Sequence, residues 1–363
     1  MCSSSSRTGA VEGLISLARE VRMQHGIDAR FAGDTVRPGE NLGEHLAHAG
    51  VPWETGLRLS RKVRPGDLLH DARTLRRWAL SGRHDLFHCA MAHDCALALW
   101  AARGLREVRV VRAAQRAVDL QRLWMLRRCD GVIVHSVKYR DELLRSLPAD
   151  RVAYVPGSVD AAHFSPGSAP ELRAQWGIPA DAPLAGIVAR MKPERGHRVL
   201  LKSFAQALKQ VPSAWLVLVG RGEDEPALKA FAHELGIGQR AVFGGYLRGP
   251  GLVQAYRALD VAVWLREGND GACRGVLEAM ACGVPVLAGA EGAPGELAGE
   301  TGVVVPPDDA AAVAAALSRL LGDPGGARRL GAAARERALQ FTPQRAAAET
   351  LAFWRRVREL PTA

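Results

Sequence analysis

Residues 270 to 288, DGACRGVLEAMACGVPVLA, decide the fold class of this chain. The stretch opens with an acid, Asp270, and small residues. From Val276 to Ala281 it runs through good helix formers at helical spacing. Gly283 ends that run as a C-cap does, and Pro285 blocks its resumption. Val284, Val286 and Leu287 then read as a buried strand. A glycine-bearing loop delivered onto a helix start, with a buried strand directly after it, is how α/β proteins present backbone N–H groups to an anion. Two acids, Asp270 and Glu278, are separated by seven residues across the loop.

Working outward, apolar strands ending in glycine or basic turns recur on both sides. Leu184 to Ala189 reads as a strand that runs into Arg190 and then Pro193-Glu194-Arg195-Gly196. Ala214 to Val219 is a fully apolar strand that turns at Gly220-Arg221-Gly222. Ala241 to Leu247 reads as a strand and turn, with Gly244 and Gly245 allowing close backbone approach. Asp260 to Leu265 leads into the central stretch. Downstream, Thr301 to Pro306 is a strand, and Asp308 is expected to N-cap an alanine-rich helix through Leu321.

Upstream, residues 11–25 have the periodicity of an amphipathic helix stopped by Gly26, and Ile27 to Ala32 alternates as a strand. Asp85 to Ala90 and Val108 to Val111 read as further strands, Leu120 to Cys129 as a helix, Val132 to Val134 as a strand and Val137 to Leu147 as a helix. Alternating strands and helices over the whole length imply two doubly wound α/β domains.

The central stretch resembles the signature of the retaining glycosyltransferases of family 4, which have the GT-B fold. That pattern is a Glu, seven residues, a second Glu, then Ala-Met-Ala-x-Gly-x-Pro-Val. The match runs from Val276 to Val286, and Asp270 stands where the first Glu usually stands. Weaker matches extend from Asp85 to the C-terminus, whereas the first part of the chain resembles the family only in outline. The resemblance implies two Rossmann-like domains facing a central cleft: an acceptor-binding domain over 1–158, a nucleotide-sugar donor domain over 159–340, and a C-terminal helix over 341–363 that crosses back to the first. In the family a strand precedes the first helix. Here the chain starts at the loop, Thr8-Gly9-Ala10, so that strand is expected to be missing or truncated, either with the given start downstream of the true one or with the N-terminal domain rearranged or degraded.

The resemblance also implies roles. Arg190 and Arg195 correspond to the two cations that hold the donor diphosphate, and arginine offers a planar fork of donors suited to it. With Asp270, near the transferred sugar, they form the expected catalytic set. Glu278 would bind the donor ribose. Backbone N–H groups of Gly271, Ala272, Cys273 and Arg274 would face the phosphates, with Arg274 as a third cation there. Gly222 belongs to a glycine loop of the donor site, and Tyr246 and Leu247 lie where backbone groups hold the base. On the acceptor side stand His88, His93 and Gln115, the last where many members have a histidine. Glutamine can donate and accept a hydrogen bond but cannot carry a proton. His88 reads equally as a buried core histidine. The implied chemistry is transfer with retention at the anomeric carbon, with the leaving phosphate taking the acceptor proton. No Asp-x-Asp motif occurs, so no metal and no cofactor are expected.

Composition bounds the rest. A chain of 363 residues suits two domains, and 48% hydrophobic with 24% charged residues is a globular balance. No apolar run approaches a membrane span and no signal-peptide pattern opens the chain. Six cysteines without a CxxC pair read as buried free thiols in a reducing cytosol. The net charge of +10 suits phosphorylated ligands or peripheral contact with an anionic membrane. With 6% aromatics and no RNA-binding or zinc-finger pattern, nucleic acid is not expected as a partner. The basic cluster Arg58, Arg61, Lys62 and Arg64 reads either as a contact for a phosphorylated or lipid-linked acceptor or as a solvated surface.

A cytosolic glycosyltransferase acting on an envelope polysaccharide, lipopolysaccharide or lipid-linked acceptor is therefore the leading expectation. The alternatives are a non-catalytic or degraded GT-B protein that kept its donor domain, motivated by the missing first strand, Gln115 and Asp270, and a nucleotide-sugar epimerase or hydrolase of the same fold. A nicotinamide enzyme lacks its Gly-x-Gly-x-x-Gly fingerprint.

Overall fold

The computed structural model describes residues 1–3, 9–33, 42–59, 64–115, 117–267 and 272–360, without the side chains of 9 and 10. They fall into two compact units. One holds the described residues up to Ser158 with Ala272 and 343–360, and the other holds 159–267 and 273–342.

The first unit carries a short parallel pair, β1 (Phe31–Ala32) and β2 (Trp53–Glu54), and a parallel four-stranded sheet. The sheet runs in chain order through β3 (Leu86–Cys89), β4 (Arg109–Ala114), β5 (Gly131–Val134) and β6 (Val152–Tyr154). Between β1 and β3 run the first residues of the chain. Cys2 N donates to Ala32 O at 2.9 Å, Ala90 N donates to Met1 O at 3.0 Å, and the Met1 ammonium donates to His88 O at 2.6 Å. Met1 and Cys2 thus satisfy backbone groups of Ala32, His88 and Ala90.

β4 and β5 are buried along their whole length. Gly131 opens β5 because nothing larger fits: a Cβ there would stand 2.8 Å from Phe353 and from Val357. Those two residues belong to the C-terminal helix Pro343–Glu359, whose buried stripe is Ala347, Thr350, Leu351, Phe353 and Val357. That helix also lies along the first helix, Gly9–His25, where Gln344 donates to Glu20 at 3.1 Å.

Three local expectations need correction. The strand expected over Ile27–Ala32 is reduced to Phe31–Ala32, because Asp28 accepts from both Arg22 and Arg30 at 2.6 and 3.1 Å and Ala29 N turns back to Ile27 O. The helix expected over Leu120–Cys129 is two single turns, Ala117–Leu120 and Leu123–Leu126. Within the first of them, Asp119 is drawn inward to Arg112 and to the Gln115 N–H. Asp309, not Asp308, caps the helix Ala310–Gly322, accepting from Ala311 N and Ala312 N at 3.0 Å, while Asp308 pairs with Arg266.

The second unit is one parallel six-stranded sheet: β7 (Leu184–Val188), β8 (Trp215–Val219), β9 (Ala241–Gly245), β10 (Val261–Trp264), β11 (Val286–Gly289) and β12 (Val303–Val305), in the order β12-β11-β10-β7-β8-β9. Its central strands are apolar on both faces, as a sheet covered on both sides requires. Val217, Val219, Ala262 and Trp264 enter one core, and Leu216, Leu218, Val261 and Val263 enter the other. No helix among the described residues is long and apolar enough to cross a membrane.

Candidate active site

The strand order of the second unit fixes where a ligand can sit. The chain enters at the middle of the sheet, builds β7, β8 and β9 outward, then returns to lay β10 against the other side of β7. The loops that leave the carboxyl ends of β7 and β10 diverge at that reversal, which is where open α/β sheets hold their ligands. The loop after β7 carries Arg190 and Arg195. The loop after β10 carries Leu265 to Glu267, and Glu278 follows on the helix Arg274–Ala281.

The two arginines are held differently. Arg190 is exposed. Arg195 is buried on the short turn Pro193–Arg195, and its Nη1 donates to Glu267 O at 3.1 Å, tying the β7 loop to the β10 loop. Gly196 follows with φ 79°, and the helix His197–Ala207 starts there. His197 is buried at that start, and burial with the neighbouring Arg195 charge lowers its pKa to about 4.

Glycine at 220 and 222 is dictated by backbone approach. A Cβ on Gly222 would lie 1.9 Å from Met191 O, and one on Gly220 would lie 2.0 Å from Ala189 O. Met191 N donates to Arg221 O and Asp224 N to Met191 O, both at 3.2 Å, so the loops after β7 and β8 are interlocked. Lys192 and Glu223 pair across them at 3.3 Å. Beyond β9, Tyr246 is 44% exposed, with Arg221 over its ring at 4.3 Å and Arg248 at 5.7 Å. Leu247 packs partly buried against the core.

Glu278 is buried among apolar neighbours, yet both its oxygens are engaged. Oε2 accepts from the Tyr256 hydroxyl at 2.8 Å, and Oε1 from Arg274 at 3.2 Å. Cys273 opens its helix in the left-handed region, at φ 44° and ψ 47°, with its side chain buried in the core. A side chain in that conformation costs about 1 kcal/mol, and such residues gather at functional loops. Ala272 is half-buried. Asp270 and Gly271 lie outside the described residues.

In the first unit His88, His93 and Gln115, the residues expected on the acceptor side, lie at or just beyond the carboxyl ends of β3 and β4. His88 turns its ring onto the C-terminal helix: its Nδ1 accepts from Trp354 Nε1 at 3.2 Å and the rings meet edge to face. Burial first, and then the terminal ammonium, lower its pKa to about 3. This is the core-histidine arrangement. His93 is the second residue of the helix Ala92–Ala102, with Nε2 buried and without a hydrogen-bond partner. Gln115 is buried directly after β4, its N–H held by Asp119 at 3.0 Å. In the basic cluster Arg58 pairs with Asp67, Arg64 is exposed, and Arg61 and Lys62 lie outside the described residues.

The sequence reading missed three contributors: Tyr256, Lys192 and the Glu267 carbonyl. Tyr256 carried a signal, since a tyrosine at a core position of an apolar helix needs a partner for its hydroxyl. A carbonyl carries none.

Two family models match the chain: Glycosyltransferase Family 4 over residues 7–163 and Glycosyl transferases group 1 over residues 168–337. A GDP-mannose-dependent alpha-(1-6)-phosphatidylinositol monomannoside mannosyltransferase of Mycolicibacterium smegmatis is 33% identical over 202 residues, covering 53% of each chain. A D-inositol 3-phosphate glycosyltransferase of Saccharomonospora viridis is 34% identical over 239 residues, 62% of this chain and 55% of that one. The matched part thus spans about half the length of these curated relatives. Among solved structures, Anabaena Alr3699/HepE in complex with UDP and glucose superposes with a TM-score of 0.79 at 20% identity, covering 96% of this chain and 97% of that one. A glycosyltransferase from Rickettsia africae gives 0.81 at 17% identity, over 99% and 97%. Between them the two models take in nearly the whole chain, and the protein belongs to the glycosyltransferases of family 4, with the GT-B fold.

Proposed function

We propose that the protein transfers a sugar from a nucleotide-diphosphate donor to a saccharide or lipid-linked acceptor, with retention of anomeric configuration. The observation that carries this reading is the tie between Arg195 and Glu267 O, which fixes a buried cation at the topological reversal of the donor-type sheet. Arg190 and Arg195 bind the diphosphate and offset the charge that grows as it leaves. The backbone of residues 271–274 and the helix start behind it add to that field. Glu278 receives the ribose hydroxyls, the backbone near Tyr246 and Leu247 receives the base, and Asp270 acts beside the transferred sugar. Cations and backbone dipoles do here what a divalent metal does in other transferases. The departing phosphate takes the acceptor proton, a route that needs no proton carrier at Gln115.

The named acceptors of the relatives are a phosphatidylinositol mannoside and an inositol phosphate, and a cell-envelope pathway at the inner face of the cytoplasmic membrane suits this chain. Supporting membrane contact, Trp124 is 61% exposed beneath Arg128, beside exposed Arg122 and Arg127, while the acid of that segment, Asp119, is turned inward. An aromatic ring among arginines matches the headgroup layer of an anionic bilayer.

A thermal-shift screen of UDP, GDP, ADP and their common sugar conjugates, with and without EDTA, tests the donor site. Stabilisation by one nucleotide, indifferent to EDTA and lost in Arg195→Ala, is expected. No shift with any nucleotide in a folded protein would overturn the reading. Binding without sugar release or transfer would favour the non-catalytic alternative. Product NMR then reads the anomeric configuration, and sedimentation with phosphatidylglycerol vesicles, lost in Trp124→Ala, reads membrane contact.

A further inference from the structure

Tyr256 lies on the helix Pro250–Ala258 with its side chain in the core of the second unit. Its hydroxyl donates to Glu278 Oε2 at 2.8 Å. The ring is clamped, with Phe164 edge-on at 5.9 Å and Trp264 tilted against it at 6.2 Å. Gly275, one turn ahead of Glu278, makes room for this contact, because a Cβ there would stand 3.2 Å from the hydroxyl and 2.6 Å from Trp264. Burial, and then the neighbouring carboxylate, push the phenol well above its ordinary pKa of 10.0, so it remains a donor. On the other side Arg274 donates to Oε1. A carboxylate has about four acceptor sites. With one on each oxygen occupied by a fixed donor, one on each is left over, a pair matched to two neighbouring hydroxyls.

We infer that Tyr256 is a positioning residue for ribose recognition: its hydroxyl locks the Glu278 carboxylate so that the 2′- and 3′-hydroxyls of a nucleoside diphosphate are received together and 2′-deoxy nucleotides are rejected. The inference rests on Glu278 being the ribose contact of the proposed donor site. A buried hydrogen bond to a charged group is short, directional and strong enough to hold a side chain in one rotamer.

The test is isothermal titration of UDP, GDP and ADP, each against its 2′-deoxy form. The wild-type protein should prefer the ribonucleotide it binds by about tenfold or more, the worth of a hydrogen bond to a charged group. In Tyr256→Phe that preference should shrink to about threefold or less, the ribonucleotide losing more affinity than the 2′-deoxy form, which keeps only its 3′-hydroxyl contact. A purely structural tyrosine would instead weaken both forms together. Gly275→Ala, which pushes on the hydroxyl and on Trp264, carries the same expectation if Tyr256→Phe does not fold. An unchanged preference in the folded variant overturns the inference, as does a wild type without preference. Glu278→Ala separates the two layers. If it keeps the ribose preference, Glu278 is not the ribose contact, and that assignment within the donor site fails together with the inference. If it loses the preference while Tyr256→Phe keeps it, the positioning role alone is wrong.

Discussion

Arg112 and Asp119 form an ion pair at 2.9 Å with both side chains buried, and the same carboxylate holds the N–H of Gln115. Arg112 also donates to the carbonyls of Cys89, Ala90 and Ala113. One charged pair therefore joins the end of β3, the end of β4 and the segment after it. Asp119→Ala strands a buried guanidinium and should cost about 3–5 kcal/mol. Urea unfolding measures it. A loss of the proposed transfer activity at permissive temperature should accompany the change, because the backbone of Gln115 is freed.

Gly222→Ala sets a methyl against the Met191 carbonyl and must separate two interlocked loops. A stability loss of about 1–3 kcal/mol is expected, as for overpacking, together with loss of the nucleotide-induced thermal shift. Gly236→Ala is the contrast. Its φ is 71° but nothing lies within 4 Å, so only the backbone strain of about 1 kcal/mol applies and nucleotide binding is unchanged.

His197 carries a pH dependence whose sign follows from its depressed pKa. The ordinary value is 6.5 and the folded value is about 4. Above pH 6.5 both states are neutral and the residue contributes no slope. Below it the unfolded chain binds a proton that the folded protein refuses, so stability falls as pH drops toward the folded value. From pH 6.5 to 5 the loss is about 2 kcal/mol. His197→Leu should flatten that part of the stability curve by the same amount, read as the difference between denaturant midpoints at pH 7 and pH 5. His88, held near 3 by burial and by the terminal ammonium, adds a slope of the same sign.

Asp309→Ala removes two hydrogen bonds at a helix start and should cost about 1 kcal/mol. Asp308→Ala removes an exposed pairing with Arg266 and should cost about 0.5 kcal/mol or less. Thermal melts of the two variants decide which aspartate is the cap.

The doubly wound architecture was legible because its signals are periodic and repeated. Buried strands such as Trp215–Val219 are unbroken apolar runs, and Gly220, Gly283 and Pro285 punctuate them. Arg190 and Arg195 were singled out by a pattern as well, though not their difference in burial. Arg190 is exposed whereas Arg195 is buried, because a backbone carbonyl seventy-two residues away accepts from the latter. No local sequence signal reports such a partner. The same limit explains why the continuous helix expected after β4 is two single turns. Its residues have helical spacing, but Asp119 spends its carboxylate on Arg112 and on the backbone, and the turn breaks. Gly131 shows the converse, a strand residue whose identity is set by a helix more than two hundred positions on.

All six cysteines are free and buried. A maleimide applied to the native protein should therefore label it slowly, and a cysteine introduced at an exposed site such as Arg73 or Arg198 would be the one fast-reacting thiol. The wild-type chain can thus serve unaltered as the background for site-specific dyes and spin labels. A single label placed on either unit would report on its own surroundings without first stripping the molecule of its own sulfur.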